Sequence, residues 1–419
     1  MTKRKCSFCG IVESKADMLF ESSVKEGVYI CDNCVDEFYY NIFQNIDMND
    51  GKQVETVNGK KKTNTVKEEY EDEITEEEFK LTPEALNKKL GEYIIGQQKA
   101  RRAVSVAVYN HFTRLESKDE CELDKNNILM IGPTGSGKTY LIEILGKILN
   151  IPVVIADATE LTAAGYVGED VNSIIAKLVF KADQMGKEPE SGIIYIDEID
   201  KIQKSYDMGK DVGGEAVQQE LLKLLEGEEV NVEINSFSSV TVDTRNILFI
   251  CGGAFDGLDE IVKKRSKKSV RMGFLDEETK EENKESLSYE DLIKYGMIPE
   301  FLGRLPVVVE FQKLTKDELK DIILKPKNSV IKQYTYMFKK EGVELVFTED
   351  AVEEMAKNAL KKNTGARGIK GEVADLLNDT MYELPSKKNI SKCIINKDVV
   401  KRIKKPVYEY KIKKNNSEE

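Results

Sequence analysis

Histidine is nearly absent from this chain of 419 residues; the single one is His111. A zinc-protease helix of the type H-E-x-x-H needs two histidines and is therefore excluded. Ser-His-Asp or Cys-His catalysis would have to run through His111 alone. That residue lies in the apolar run "VAVYNHF" and reads as a packed or half-exposed helix residue. Positive charge is also short, with 63 Lys and Arg against 75 Asp and Glu, a formal net charge of -12. Broad nucleic-acid binding needs a basic face, so the balance argues against it. No apolar run approaches the ~18 residues of a membrane span. The opening "MTKRKCSFCG" has no apolar stretch of the secretory type, and the expectation is a cytoplasmic protein with no membrane partner.

Cysteine is sparse too, seven in all, but four are grouped as Cys6, Cys9, Cys31 and Cys34. Two C-x2-C pairs can close a tetrahedral thiolate shell around zinc, two ligands from each turn. Such pairing favours metal over disulfide or redox use in a chain with no export signal. With no open coordination position the site would be structural, and metal binding would drive folding of so short a segment. Cys121, Cys251 and Cys393 stand alone and read as packing residues.

The length suggests roughly three domains. Residues 1–50 form the zinc module, and 51–80 are charged and poor in apolar residues, a flexible linker. Order resumes at Thr82-Pro83, a helix cap followed by proline in the first turn. Apolar runs "NILMI", "PVVIA", "IIYID", "ILFIC" and "VVVEF" then alternate with helical patterns, among them "VQQELLKLLEG" with its glycine stop. Buried strands alternating with helices predict a parallel α/β sheet over 81–312. Helical patterns dominate a smaller domain over 313–405, and 406–419 reads as a tail. The charged stretch 276–290 reads as a surface insertion.

"GPTGSGKT" follows the first strand directly and matches G-x-x-x-x-G-K-[ST] in a strand-loop-helix context. Its backbone N–H groups can cradle phosphates, aided by the helix N-terminus. The nucleotide set is Gly132, Pro133, Thr134, Gly135, Ser136, Gly137, Lys138, Thr139 and the adjoining Tyr140. Lys138 would reach the β- and γ-phosphates of ATP and Thr139 would ligate magnesium. "GIIYIDEID" places Asp197 and Glu198 at the carboxyl end of a strand, where open α/β sheets bind ligands. Asp197 would hold the magnesium shell and Glu198 would orient and deprotonate water. Asp200 reads as a cap or ion-pair residue. Arg304, just before a strand, could stabilise a transferring phosphoryl group across a subunit boundary. Arg367, between glycines, could report nucleotide state to the second domain. Spacing alone favours an ordinary surface or ion-pair role for each arginine.

These strings, with "GYVGED", "GEAVQQELLKLLEG", "ILFICGGAFDGLD" and "LIKYGMIPEFLGRLPVV", resemble the ClpX family of AAA+ protein-unfolding ATPases from Cys6 to about Pro385. The resemblance implies an AAA+ P-loop domain with a parallel sheet, a smaller helix-rich C-terminal domain and a treble-cleft-like zinc module with four cysteine ligands. It also implies a homohexamer with ATP at its interfaces, unfolded or tagged protein substrates, adaptors bound through the zinc domain, and a ClpP-type peptidase partner. Arg304 matches the family's arginine finger and Arg367 its sensor-2 arginine. "YIIGQQ" matches the adenine-packing segment, with Ile94 and Ile95 as contacts. Gly165, Tyr166, Val167 and Gly168 match the pore loop, where an aromatic ring grips almost any side chain. Met272, Gly273 and Phe274 align with the family's Ile-Gly-Phe docking loop, methionine keeping the apolar anchor. The family's Arg-Lys-His pore-entrance loop corresponds to 228–242, which holds none of those residues, and "CGGAF" offers no polar sensor.

Two other classes compete. A zinc-ribbon AAA+ motor or loader acting on nucleic acid is disfavoured by the acidic chain and the "GYVG" loop. A zinc-dependent adaptor without turnover is disfavoured by the complete phosphate loop and its Asp-Glu pair. An intrinsic peptidase has no recognisable nucleophile site here.

Overall fold

The computed structural model describes residues 4–9, 11–12, 18–21, 27–31, 34–35, 81–117, 123–162, 169–204, 214–235, 238–272, 287–362, 364–387 and 389–411. For 21, 169, 234–235, 238 and 267–272 only the backbone is described. The chain divides into two compact units, Met1–Thr75 and Glu76–Glu419. The linker expected over 51–80 lies outside the described residues.

In the first unit, Leu19–Glu21 and Tyr29–Cys31 form an antiparallel hairpin, Leu19 opposite Cys31. Cys6, Cys31 and Cys34 make its small buried cluster with Ile11, Leu19 and Ile30 packed around them.

The second unit begins with helix α1 (Pro83–Gly91), whose Thr82 side chain caps the Ala85 N–H as expected, and α2 (Gln98–Glu116). Its main sheet takes β1 (Ile128–Ile131), β2 (Val153–Asp157), β3 (Ile193–Asp197), β4 (Leu248–Gly253) and β5 (Val307–Glu310). These are the five strands expected from the apolar runs. They pair in parallel in the order β5-β1-β4-β3-β2.

Side chains alternate across this sheet with the two-residue period of a strand. Ile128, Met130, Ile193, Tyr195, Leu248 and Ile250 face one layer, with α1, α2 and α3 (Lys138–Leu149). Leu129, Ile131, Ile194, Ile196, Phe249 and Cys251 face the other, with α4 (Ser173–Met185) and α5 (Gly214–Glu226). Burial on both faces is why these strands read as unbroken apolar runs. Helix α5 stops at Gly227, whose φ of 110° suits glycine. Helix α6 (Leu258–Met272) leads from the sheet into the charged insertion.

A separate core holds the C-terminal part. Leu319 and Ile323 of α7 (Lys316–Leu324), Phe338 of α8 (Val330–Lys340), Met355 of α9 (Glu349–Lys361) and Leu377 of α10 (Gly365–Glu383) meet there. The helical patterns concealed a three-stranded sheet, β6 (Glu344–Phe347), β7 (Ile390–Ile395) and β8 (Val407–Tyr410). Strand β8 runs antiparallel to β7, Val407 opposite Ile394. The segment read as a tail from 406 is therefore structured to Tyr410; its charged neighbours masked a partly exposed edge strand. No described helix is long and apolar enough to cross a membrane.

His111 is 3% exposed on α2, edge-on to Phe112 with ring centroids 5.4 Å apart. Neither ring nitrogen has a hydrogen-bond partner among the described residues. Burial, with the charges of Arg114 and Lys125, pushes its pKa down to about 3. A base with its folded pKa below the unfolded value near 6.5 takes up a proton on unfolding. Its contribution to stability is therefore full above pH 6.5 and falls as pH drops from about 6.5 toward 3. His111→Leu should remove this part of the slope, up to ~1.4 kcal/mol per pH unit between pH 6.5 and 5.5. Urea unfolding of both proteins at pH 7.5 and 5.5 measures it. An equal decline in the two would mean that the ring is hydrated.

Candidate nucleotide and metal sites

The phosphate loop follows β1 and opens α3, with Gly137 at φ 101° immediately before Lys138. Gly135 has no room for a side chain: a Cβ there would lie 2.5 Å from the Thr364 carbonyl oxygen. Lys138 is buried, and its Nζ donates to the carbonyls of Gly132 at 2.5 Å and Pro133 at 3.4 Å. Burial lowers its pKa, against the attraction of Asp197, Asp200 and Asp256 and with the repulsion of Arg367. That is a cation facing several carboxylates and a second cation inside one cleft.

Asp197 ends β3. Its Oδ2 accepts the Thr139 hydroxyl at 2.7 Å, and its Oδ1 accepts the Glu198 N–H at 3.0 Å. Glu198 sits in the left-handed region at φ 56°, a conformation costing ~1 kcal/mol or more in a non-glycine residue. The turn starts the short helix Ile199–Ile202. Asp200 is buried and accepts the Ala254 N–H at 3.1 Å, with Lys201 beside it.

A cleft of about 490 Å³ runs between the two cores of this unit. Lys138, Thr139, Tyr140, Asp197 and Glu198 line one wall, and Arg367 lines the wall supplied by α10. The volume is that of a ligand pocket for a molecule of drug or nucleotide size. Tyr140 donates to Asn328 Oδ1 at 2.9 Å, joining α3 to the segment before α8. The residues fit a magnesium nucleotide: a glycine loop for phosphates, a lysine, and a hydroxyl touching a carboxylate, both hard oxygen ligands.

The structure brings most of the expected residues together, with two exceptions. Ile94 is 5% exposed and packed in the core against Leu90, whose carbonyl its N–H meets at 2.9 Å. Ile95 is half-buried; Tyr93 lines the cleft in their place. The reason is the turn after α1, which carries Ile94 back onto that helix and leaves Tyr93 facing the cleft. Arg304 lies away from the cleft. Its guanidinium forks onto Glu226 Oε1 at 2.9 and 3.1 Å, and its carbonyl accepts Asn127 Nδ2 at 3.0 Å. Asn127 precedes β1, whereas the phosphate loop follows it, roughly 16 Å away along the strand. Sequence reasoning missed Tyr93, Asn328 and Lys370 as lining residues. Tyr93 belongs to the matched string "YIIGQQ", but only the fold decides which of its side chains faces the cleft, whereas Asn328 and Lys370 carry no nucleotide signature of their own.

Residues Gly165, Tyr166, Val167 and Gly168 lie outside the described residues. The flanking pairs Leu161–Thr162 and Glu169–Asp170 bond in parallel, holding the ends of that segment side by side. Met272 closes α6, described in its backbone alone, and Gly273 and Phe274 lie outside the described residues, as does Cys121. Glu229–Asn235 and Ser238–Asp243 pair antiparallel, Val230 opposite Val242.

In the first unit the four sulfurs lie within 4.8 Å of one another. Cys6 and Cys34 are 3.9 Å apart, Cys9 and Cys31 3.5 Å. A thiolate tetrahedron with 2.3 Å zinc bonds has sulfur edges of about 3.8 Å. A disulfide would need about 2.05 Å, so the geometry fits a shared ion and no disulfide. The Cys6 N–H donates to the Ile11 carbonyl at 2.8 Å, closing the turn around Cys9. Cys251 and Cys393 are buried, as expected of packing residues.

Comparison with known proteins agrees on all three regions. Residues 123–308 match the family described as AAA domain (Cdc48 subfamily), and 314–399 match the C-terminal, D2-small domain, of ClpB protein. Residues 4–44 match the ClpX C4-type zinc finger. The parallel sheet, its phosphate loop and the helical domain behind it define an ATPase of the AAA class. Over 336 residues the chain is 48% identical to the ATP-dependent Clp protease ATP-binding subunit ClpX of Borrelia duttonii (strain Ly), covering 76% of this chain and 78% of that protein. The same protein of Borrelia recurrentis (strain A1) matches to the same extent. The chain belongs to the ClpX family.

Metal analysis of the full-length protein should find one zinc per chain. Replacing Cys6 and Cys9 together by serine should release it and open only the N-terminal unit to protease, with ATP hydrolysis retained. Wild-type protein free of zinc would remove the metal reading.

Proposed function

We propose that this chain is an ATP-driven protein unfoldase that pulls polypeptides through a ring pore and passes them to a ClpP-type peptidase. The observation that carries the reading is the meeting of Thr139, Asp197, Glu198 and Arg367 at one cleft between two cores. A site so placed changes shape when its contents change, and motion of one core against the other is what mechanical work requires.

Lys138 and the loop N–H groups hold the β- and γ-phosphates, and Thr139 and Asp197 hold magnesium. The bound ion would neutralise charge on the phosphate oxygens. Glu198 orients water and accepts its proton. Arg367, carried by α10, ties the γ-phosphate to the small domain. Arg304 points away from its own cleft, which suits action on a neighbouring subunit's nucleotide in a homohexamer. The Glu226 contact then keeps the guanidinium extended at a modest cost, since both partners are about half exposed. Tyr166 and Val167 grip the substrate, and Met272, Gly273 and Phe274 dock the peptidase. The zinc module receives adaptors or substrates, and the compartment is the cytoplasm. The strand pair Glu229–Asn235 and Ser238–Asp243 flanks the pore entrance, and residues 228–243 include no lysine, arginine or histidine. Recruitment of a substrate's terminal carboxylate by charge is therefore weak in this chain.

Glu198→Gln should retain ATP binding and assembly while turnover falls by roughly 10²-fold or more, the weight of a general base. Hydrolysis close to wild type would end the assigned role.

The wider reading is tested with ATP, a folded reporter bearing an unstructured tail, and a ClpP-type peptidase. Tyr166→Ala should hydrolyse ATP but neither unfold nor degrade the reporter. Phe274→Ala should unfold it but fail to deliver it, because several weak loops docking at once lose their shared anchor. Reporter loss at the wild-type rate in either variant would remove the corresponding loop from the mechanism.

A further inference from the structure

We propose that Tyr195 is a positioning residue for Asp197, supplied by β3 because β4 ends in Gly252 and Gly253 with no polar side chain to offer. The inference rests on the reading that Thr139 and Asp197 hold magnesium.

Tyr195 is among the largest fully buried side chains of the molecule. It lies two residues before Asp197, so both project to the same face of β3, the face shared with α3. Its hydroxyl donates to Asp197 Oδ1 at 3.2 Å. The Glu198 N–H donates to the same oxygen at 3.0 Å, whereas Oδ2 receives only the Thr139 hydroxyl, at 2.7 Å, among the contacts described. Two donors on one oxygen fix the plane of the carboxylate and leave the other oxygen aimed at Thr139. A carboxylate held this way needs no rotation to meet an ion beside the threonine.

The neighbouring strand is shaped around that hydroxyl. A Cβ on Gly252 would collide with the Tyr195 oxygen and lie 2.7 Å from the carbon bearing it. The glycine thus opens the volume that the phenol fills.

The test is binding of a fluorescent, non-hydrolysable ATP analogue to the full chain, titrated with magnesium and repeated in EDTA. Tyr195→Phe keeps the ring and deletes the donor. It should raise half-saturating magnesium on the order of tenfold, the worth of one hydrogen bond to a charged group. Affinity in EDTA and the thermal midpoint should match wild type. A wild-type magnesium titration in Tyr195→Phe, with the dependence lost in Asp197→Asn, would overturn the role of the tyrosine. Equal loss of affinity with and without magnesium would also overturn it, since the hydroxyl would then shape the loop in general. Retention of wild-type magnesium dependence by Asp197→Asn would instead remove the metal reading and the inference with it.

Discussion

The hydrogen bond from Thr139 to Asp197 spans a strand, and the nucleotide cleft depends on it. Thr139 follows β1 and Asp197 ends β3, but β4 lies between those strands in the sheet. The contact at 2.7 Å is possible because β4 terminates in glycines at that edge. Gly253 also gives its carbonyl to the Gly132 N–H at 3.2 Å, seating the root of the phosphate loop on the same strand end. A side chain in either glycine would meet atoms that serve the site: Tyr195 at 252, Asp200 at 253. The missing polar group in "CGGAF" is thus a steric consequence of neighbours that approach from β3 and from the short helix after it.

The opposite wall is tied to the loop by backbone and amide contacts. The Ala366 N–H donates to the Gly135 carbonyl at 3.2 Å. Gln97 donates to the Gln312 carbonyl at 2.6 Å and accepts its N–H at 3.0 Å, fastening the connection between the two cores. With Tyr140 and Asn328 these contacts couple the phosphate loop directly to the small domain that carries Arg367. Each core is separately packed, so the cleft between them is where relative motion costs least. The N-terminal unit poses a different problem: its core among the described residues is three buried cysteines and a few apolar neighbours, a cluster that a shared ion would stabilise.

Much of this was legible in the chain because the signals are local. Five apolar runs became five strands, since burial on both faces requires unbroken Val, Ile and Leu. The phosphate loop, the Asp-Glu strand end and the two C-x2-C pairs each lie within a few residues of sequence, and backbone geometry makes them usable wherever the fold puts them. The helix cap at Thr82 and the stop at Gly227 are likewise properties of one turn.

The tertiary structure decided what depends on residues distant in sequence. Strand order placed β4 between Thr139 and Asp197 and made its glycines necessary, and no pattern in "CGGAF" declares the phenol above it. The turn after α1 chose Tyr93 over Ile94 and Ile95 for the cleft. Strand β8 gained its place from pairing with β7, for its own residues are too polar and exposed to announce a strand. Arg304 and Arg367 looked alike as isolated basic residues near glycines. Packing separated them, one turned to Glu226 at the far end of β1 and the other into the cleft, because a side chain's function follows from what the folded chain sets opposite it.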